Sequence, residues 1–181
     1  MIPIPGLGYV VAILTFPGVI VHEAAHFLFC RLFGLAVLDV VFFRFKNPVG
    51  YVVHEPTENL TAAFFVGLGP FFVNTALCIA FTLPAFVPVF ELELVDPVGY
   101  FLTWLGISIG MHAFPSTHDL QNIRRLAWPA VKRGDVAAVA MLPVLGVFLV
   151  ANLATVFWAD LLYGLAVGVG LPRLVTQWLV T

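Results

Sequence analysis

From Leu60 to Val87 the chain carries no Asp, Glu, Lys, Arg or His. About 20 such residues wound as a helix cross the hydrocarbon core of a bilayer. In lipid, every backbone N–H and C=O must be satisfied within the protein, which leaves helices or closed barrels. A run this long, without period-two alternation, reads as a helix. Comparable runs cover Leu7–Phe33, Pro97–Phe114 and Val136–Trp158; the first is interrupted by His22, Glu23, His26 and Arg31. With 61% hydrophobic and 10% charged residues, the chain has too little polar side chain to cover a water-exposed surface. The expectation is an all-α, multi-pass integral membrane protein with about four transmembrane helices in a single domain over 1–181. Asp160–Thr181 is apolar but broken by Pro172 and Arg173. It reads equally as an interfacial tail, an extension of the fourth helix or a short fifth span.

Between the first two runs, Ala36–Glu55 has a different grain. Val41, Phe43 and Phe45 alternate with Phe42, Arg44 and Lys46, and Asn47-Pro48-Val49-Gly50 supplies turn residues before Tyr51–His54. This pattern predicts a β-hairpin, apolar enough to sit in or against the membrane. Arg31 closes the first run, and Arg44, Lys46, Arg124, Arg125, Lys132 and Arg133 follow the first or third run. The positive-inside rule therefore places these segments in the cytoplasm and the N-terminus outside. Leu120, Ile123 and Leu126, spaced beside Arg124 and Arg125, predict an amphipathic helix on the cytoplasmic face.

Other classes are easily set aside. A formal net charge of -2 without a dense basic stretch gives no nucleic-acid partner. Cys30 and Cys78 lie inside apolar runs and read as small hydrophobes rather than a disulfide. The first run lacks a secretory signal's basic start and is read as retained. The lipid bilayer is the one partner that composition implies; oligomeric state is left open.

His22-Glu23-Ala24-Ala25-His26 has the form HExxH. On a helix, residues four apart share a face, so both imidazoles can hold one metal ion while the glutamate takes a proton from an activated water. Metal coordination brings the pKa of such a water towards neutrality. The bland reading is polar glue between helices. Three ionisable side chains within five residues of a span are costly for that purpose alone, and intramembrane charges are functional by default.

Zinc, one per chain, needs a third protein ligand and an open position. His54, His112, His118 and Asp119 are candidates, the last three at the cytoplasmic end of the third span and near the depth of the histidine pair. Asp119 has a competing role, because Ser116-x-x-Asp119 is also a helix-opening capping box. Asn74, in Gly69-Pro70-Phe71-Phe72-Val73-Asn74, lies deep in the second span, where Gly-Pro would loosen the helix and free backbone groups. It reads as glue or as a functional hydrogen-bonding group. Asp160 falls near the outer end of the fourth span and reads as interfacial.

Taken in order, these features resemble the site-2 proteases, a family of membrane-embedded zinc metalloproteases. HEAAH lies in the first core span, the hairpin follows, and GPFFVN resembles the family's Gly-Pro-x-x-Asn motif. His112-Ala113-Phe114-Pro115-Ser116-Thr117-His118-Asp119 stands where the family has Asn-x-x-Pro…Asp-Gly. Here His112 replaces the Asn, the spacing to Asp is one shorter, and Leu120 replaces the Gly. The resemblance covers about Leu7–Asn122 and marks a divergent or minimal member; Val136–Thr181 is an additional membrane segment. It implies zinc on His22, His26 and Asp119, with His118, His112 and His54 as alternatives for the third ligand. It also implies Glu23 as the base and Asn74 on the substrate backbone or oxyanion.

The activity implied is hydrolysis of peptide bonds in membrane-protein substrates near the cytoplasmic face. A non-catalytic binding protein that kept the fold has no need of Glu23. A metal transporter needs a polar route through the bilayer, and Leu7–Val21 offers almost none. A prenyl-protein endopeptidase would carry a paired-glutamate helix motif that is missing here. No soluble stretch of these residues is large enough to form a regulatory domain.

Overall fold

The computed structural model describes residues 7–180. The first apolar run is broken into α1 (Leu7–Leu14) and α2 (Phe16–Leu32), which meet at 86°. Pro17 in the first turn of α2 has no N–H to continue the ladder. The Thr15 hydroxyl donates to the Val11 carbonyl at 2.7 Å, beside the Thr15 N–H, which bonds the same oxygen at 2.9 Å. The far end of α2 closes in a Schellman turn: Leu35 N–H reaches Cys30 O, and Gly34 stands at φ +69°. An L side chain at that φ would be strained, so glycine ends the helix there.

The predicted hairpin is present. Strands β1 (Val37–Val41) and β2 (Tyr51–His54) pair antiparallel, with Val41 opposite Tyr51 and Val40 opposite Val52. A bulge lies between Val37 and Asp39. The alternation through Phe43 and Phe45 does not extend β1, which stops at Val41 and leaves a long connection.

Helix α3 (Leu60–Phe86) opens on Asn59, whose side chain accepts from Ala62 N–H, and continues as a wide π-type turn to Glu91. It packs against α2, α4 (Pro97–Met111) and α5 (Thr117–Lys132). The third run is shorter than predicted, because α4 ends ahead of Pro115; its 15 residues span only about 22 Å. Helix α5 turns Leu120, Ile123, Ala127 and Ala130 inward and leaves Arg124, Arg125 and Trp128 outside. Leu68 of α3, Leu120 and Ile123 of α5, and Leu145 and Phe148 of α6 (Val136–Ala154) form a common core.

Helices α7 (Ala159–Leu165) and α8 (Leu171–Val180) are joined through a π-type turn, and Ala159–Leu179 is long and apolar enough to cross a membrane. Leu60–Glu91 and Val136–Phe157 meet the same test, and α1 with α2 does if counted as one bent span. Val147, Val150 and Leu153 of α6 are about 70% exposed, an arrangement that suits lipid rather than water.

Candidate metal centre

His22 and His26 lie one turn apart on α2, with ring centroids separated by 4.7 Å. The Nδ1 atom of His22 is 2.6 Å from the His112 carbonyl oxygen, and that of His26 is 2.8 Å from the Val66 carbonyl oxygen. A carbonyl can only accept, so each Nδ1 bears a proton and donates it. In the neutral rings both Nε2 atoms then present lone pairs, and they face one another at 3.1 Å. The Asp119 Oδ2 atom stands 3.6 Å from His26 Nε2. These three donor atoms lie close enough together to hold a cation. The ligand atoms of a tetrahedral zinc stand roughly 3.3 Å apart; the His22–His26 and His26–Asp119 spacings lie near that value, and the N,N,O donor set suits zinc. Among the described residues, His22, His26 and Asp119 form the one group whose ligand atoms converge, all lying within 4.8 Å of one another.

Both accepting carbonyls owe their freedom to the sequence around them. In a regular helix the Val66 oxygen would bond the N–H of residue 70, but that residue is Pro70 and has none. The carbonyl is left to His26. The His112 oxygen is free because α4 ends at Met111, where the last carbonyls lack intrahelical donors. Metal-binding histidines ordinarily hand their second N–H to such a partner, which fixes tautomer and ring orientation. Pro70→Ala is therefore expected to show opposite signs in two measurements. Removing a mid-helix proline should stabilise α3 against unfolding, while the restored N–H competes for the Val66 oxygen and weakens zinc binding by roughly tenfold. Zinc affinity unchanged in a stabilised protein would remove this role from Pro70.

Asp119 serves two roles at once. Ser116 caps α5 by accepting from Asp119 N–H at 3.2 Å, while Asp119 Oδ2 accepts from Ser116 N–H at 2.8 Å and Ser116 Oγ at 2.5 Å. The capping box does not compete with the convergence on His26; it holds the carboxylate in place for it. Burial works to raise the Asp119 pKa, and the facing His26 and the bonds from His26 and Ser116 outweigh it, holding the carboxyl below its ordinary range.

Of the other candidates for third ligand, His54 and His118 line the same cavity but are not part of the converging group, and His112 is placed elsewhere. The His112 ring turns from the site: Thr15 already donates its proton to Val11, so it accepts from His112 Nε2 at 2.8 Å. His118 is exposed with Nδ1 beside the Asn122 amide, and the Nδ1 of His54 donates to the Glu55 carbonyl at 2.7 Å. Asn74 lies within the packing of α2, α3 and α4. It is fully buried, and its Nδ2 lies 3.0 Å from Ile109 O, 3.1 Å from His112 O and 3.4 Å from Gly18 O. Its amide ties α2 and α4 to α3 and shares with His22 the carbonyl that orients that ring. Asp160 bonds the Leu161 N–H at the start of α7, outside this group.

His22, His26 and Asp119 line a cavity of about 800 Å³ together with Glu23. Strand β2 and the residues flanking it, Gly50 to Thr57, supply another wall, and Arg125 of α5 also lines the cavity. The Tyr51 hydroxyl donates to Asp39 at 2.7 Å, a bond that raises its pKa and keeps the proton on the phenol. No protein-family model, curated protein or solved structure matches the chain. The functional reading therefore rests on the chemistry of this cavity.

Proposed function

We propose that the chain is a membrane-embedded zinc metalloprotease, of the kind its motifs resemble, acting on membrane-protein substrates. The observation that carries the reading is the convergence of His22, His26 and Asp119 on a cavity that Glu23 and β2 also line. Those three residues would hold the zinc, one per chain. When bound, zinc polarises a carbonyl and lowers the pKa of water.

The remaining work falls to the protein's own groups. Strand β2 has β1 on one side only, so its other edge can take an extended peptide through main-chain hydrogen bonds. A substrate helix must unwind to use that edge, since its own carbonyls are otherwise bonded within the helix. Glu23 accepts the proton of the attacking water and returns it to the leaving amine. By the distribution of the basic residues, the reaction takes place near the cytoplasmic face.

Zinc content of the detergent-purified full chain tests the reading. About one zinc per chain is expected in the wild type, with most of it lost in His22→Ala and in Asp119→Ala. A wild type that takes up no zinc after reconstitution with the metal would overturn the proposal. Zinc lost in His22→Ala but kept in Asp119→Ala would give the third position to another residue.

A further inference from the structure

Asn152 lies in the last turn of α6, in a segment that none of the chain's motifs reaches. The neighbours Val150 and Leu153 are exposed, and the run from Val136 to Trp158 contains no charged side chain. An amide placed there is costly unless both of its ends find partners. Both do, on one short turn. The Nδ2 group donates to Pro115 O at 3.1 Å, and Oδ1 accepts from Thr117 Oγ at 3.0 Å. Pro115 and Thr117 flank Ser116, whose N–H and hydroxyl both bond Asp119 Oδ2.

The Asp119 carboxylate is therefore held by a residue whose two neighbours are both pinned by Asn152. At the other end of the same loop, Asn74 holds the His112 carbonyl that accepts from His22. The loop 112–116 sets where the first turn of α5 and its Asp119 stand, and without these clamps it would be an imprecise support for a metal ligand, because sites are most exact when their supports are themselves locked. We infer that Asn152 is a positioning residue for the third metal ligand, and that α6 is part of the frame of the metal centre rather than an accessory span.

The inference rests on the metal reading of the site, and one set of measurements separates the two. Zinc affinity is determined by chelator competition on the full chain in detergent, beside the thermal unfolding of the metal-free protein. Asn152→Leu is expected to bind zinc roughly 10- to 100-fold more weakly. The loss should be non-additive with Asp119→Ala, because both substitutions remove the same ligand from its place. Thr117→Val breaks one of the two contacts from the exposed side of the turn and should weaken zinc several-fold; it decides the matter if Asn152→Leu does not fold. An amide serving only as glue predicts a lower unfolding temperature with zinc affinity within twofold of wild type. That result in both variants would overturn the inference while leaving the metal reading intact. A wild type without zinc would overturn both.

Discussion

Glu23→Gln is expected to retain about one zinc per chain and to lose peptide cleavage by roughly 10²–10⁴-fold, the usual contribution of a general acid–base group. Glu23 lines the cavity, but the converging ligand atoms belong to His22, His26 and Asp119, so the substitution leaves the donor set whole. Glutamine keeps the size and shape of the side chain and offers no site that takes up a proton at neutral pH. What disappears is the acceptor for the proton of the attacking water and, later, the donor to the leaving nitrogen. The measurement is single-turnover cleavage of a transmembrane peptide in liposomes, with zinc assayed on the same preparation. Wild-type cleavage by Glu23→Gln would remove the base from Glu23. Loss of zinc along with cleavage would make Glu23 part of the metal's support instead.

The membrane helices were legible because lipid leaves the backbone few choices. Leu60–Phe86 and Val136–Ala154 form helices where uncharged runs predict them. The hairpin was legible from Asn47-Pro48-Val49-Gly50 and the residues around it, although β1 stops before Phe43. The bend at Thr15 was harder to see. Pro17 signals a helix start as readily as a kink. The candidate ligand pair could be read from its four-residue spacing, a local property of a helix. The candidate third ligand could not, since three of the four candidates lay at compatible depths and spacing carries no information on which side chain turns inward. The orienting partners of the histidines are backbone carbonyls, which any residue supplies. Pro70 was their one available signal, through the N–H it lacks. Asn74 and Asn152 were visible as polar residues in apolar helices, but both the partners of Asn152 and those of Asn74 lie more than 30 residues away.

Gly50→Ala is expected to lower kcat by roughly 10²-fold, the cost of a displacement of about 1 Å at a reacting group, while zinc affinity stays at the wild-type level. A Cβ at position 50 would lie 2.8 Å from Glu23 Cγ, 3.0 Å from the Phe42 carbonyl oxygen and 3.1 Å from Val19 Cγ1. All three distances are tighter than ordinary van der Waals contact. The Phe42 oxygen is backbone and Val19 is buried in α2, so neither gives way easily. The Glu23 side chain, standing at the cavity, is the neighbour free to move. The substitution should therefore displace the base and spare His22, His26 and Asp119, none of which supplies one of the three nearest atoms. Steady-state cleavage with zinc competition separates this effect from a change in the hairpin alone. A hairpin that only binds substrate less well raises KM and leaves kcat unchanged. A displaced base lowers kcat. If kcat holds and KM rises, Gly50 belongs to the peptide-binding edge and Glu23 has room to spare. If kcat falls with zinc affinity intact, the hairpin sets the position of the base as well as one wall of the cavity, and a peptide seated on β2 comes to rest against a carboxylate already in place.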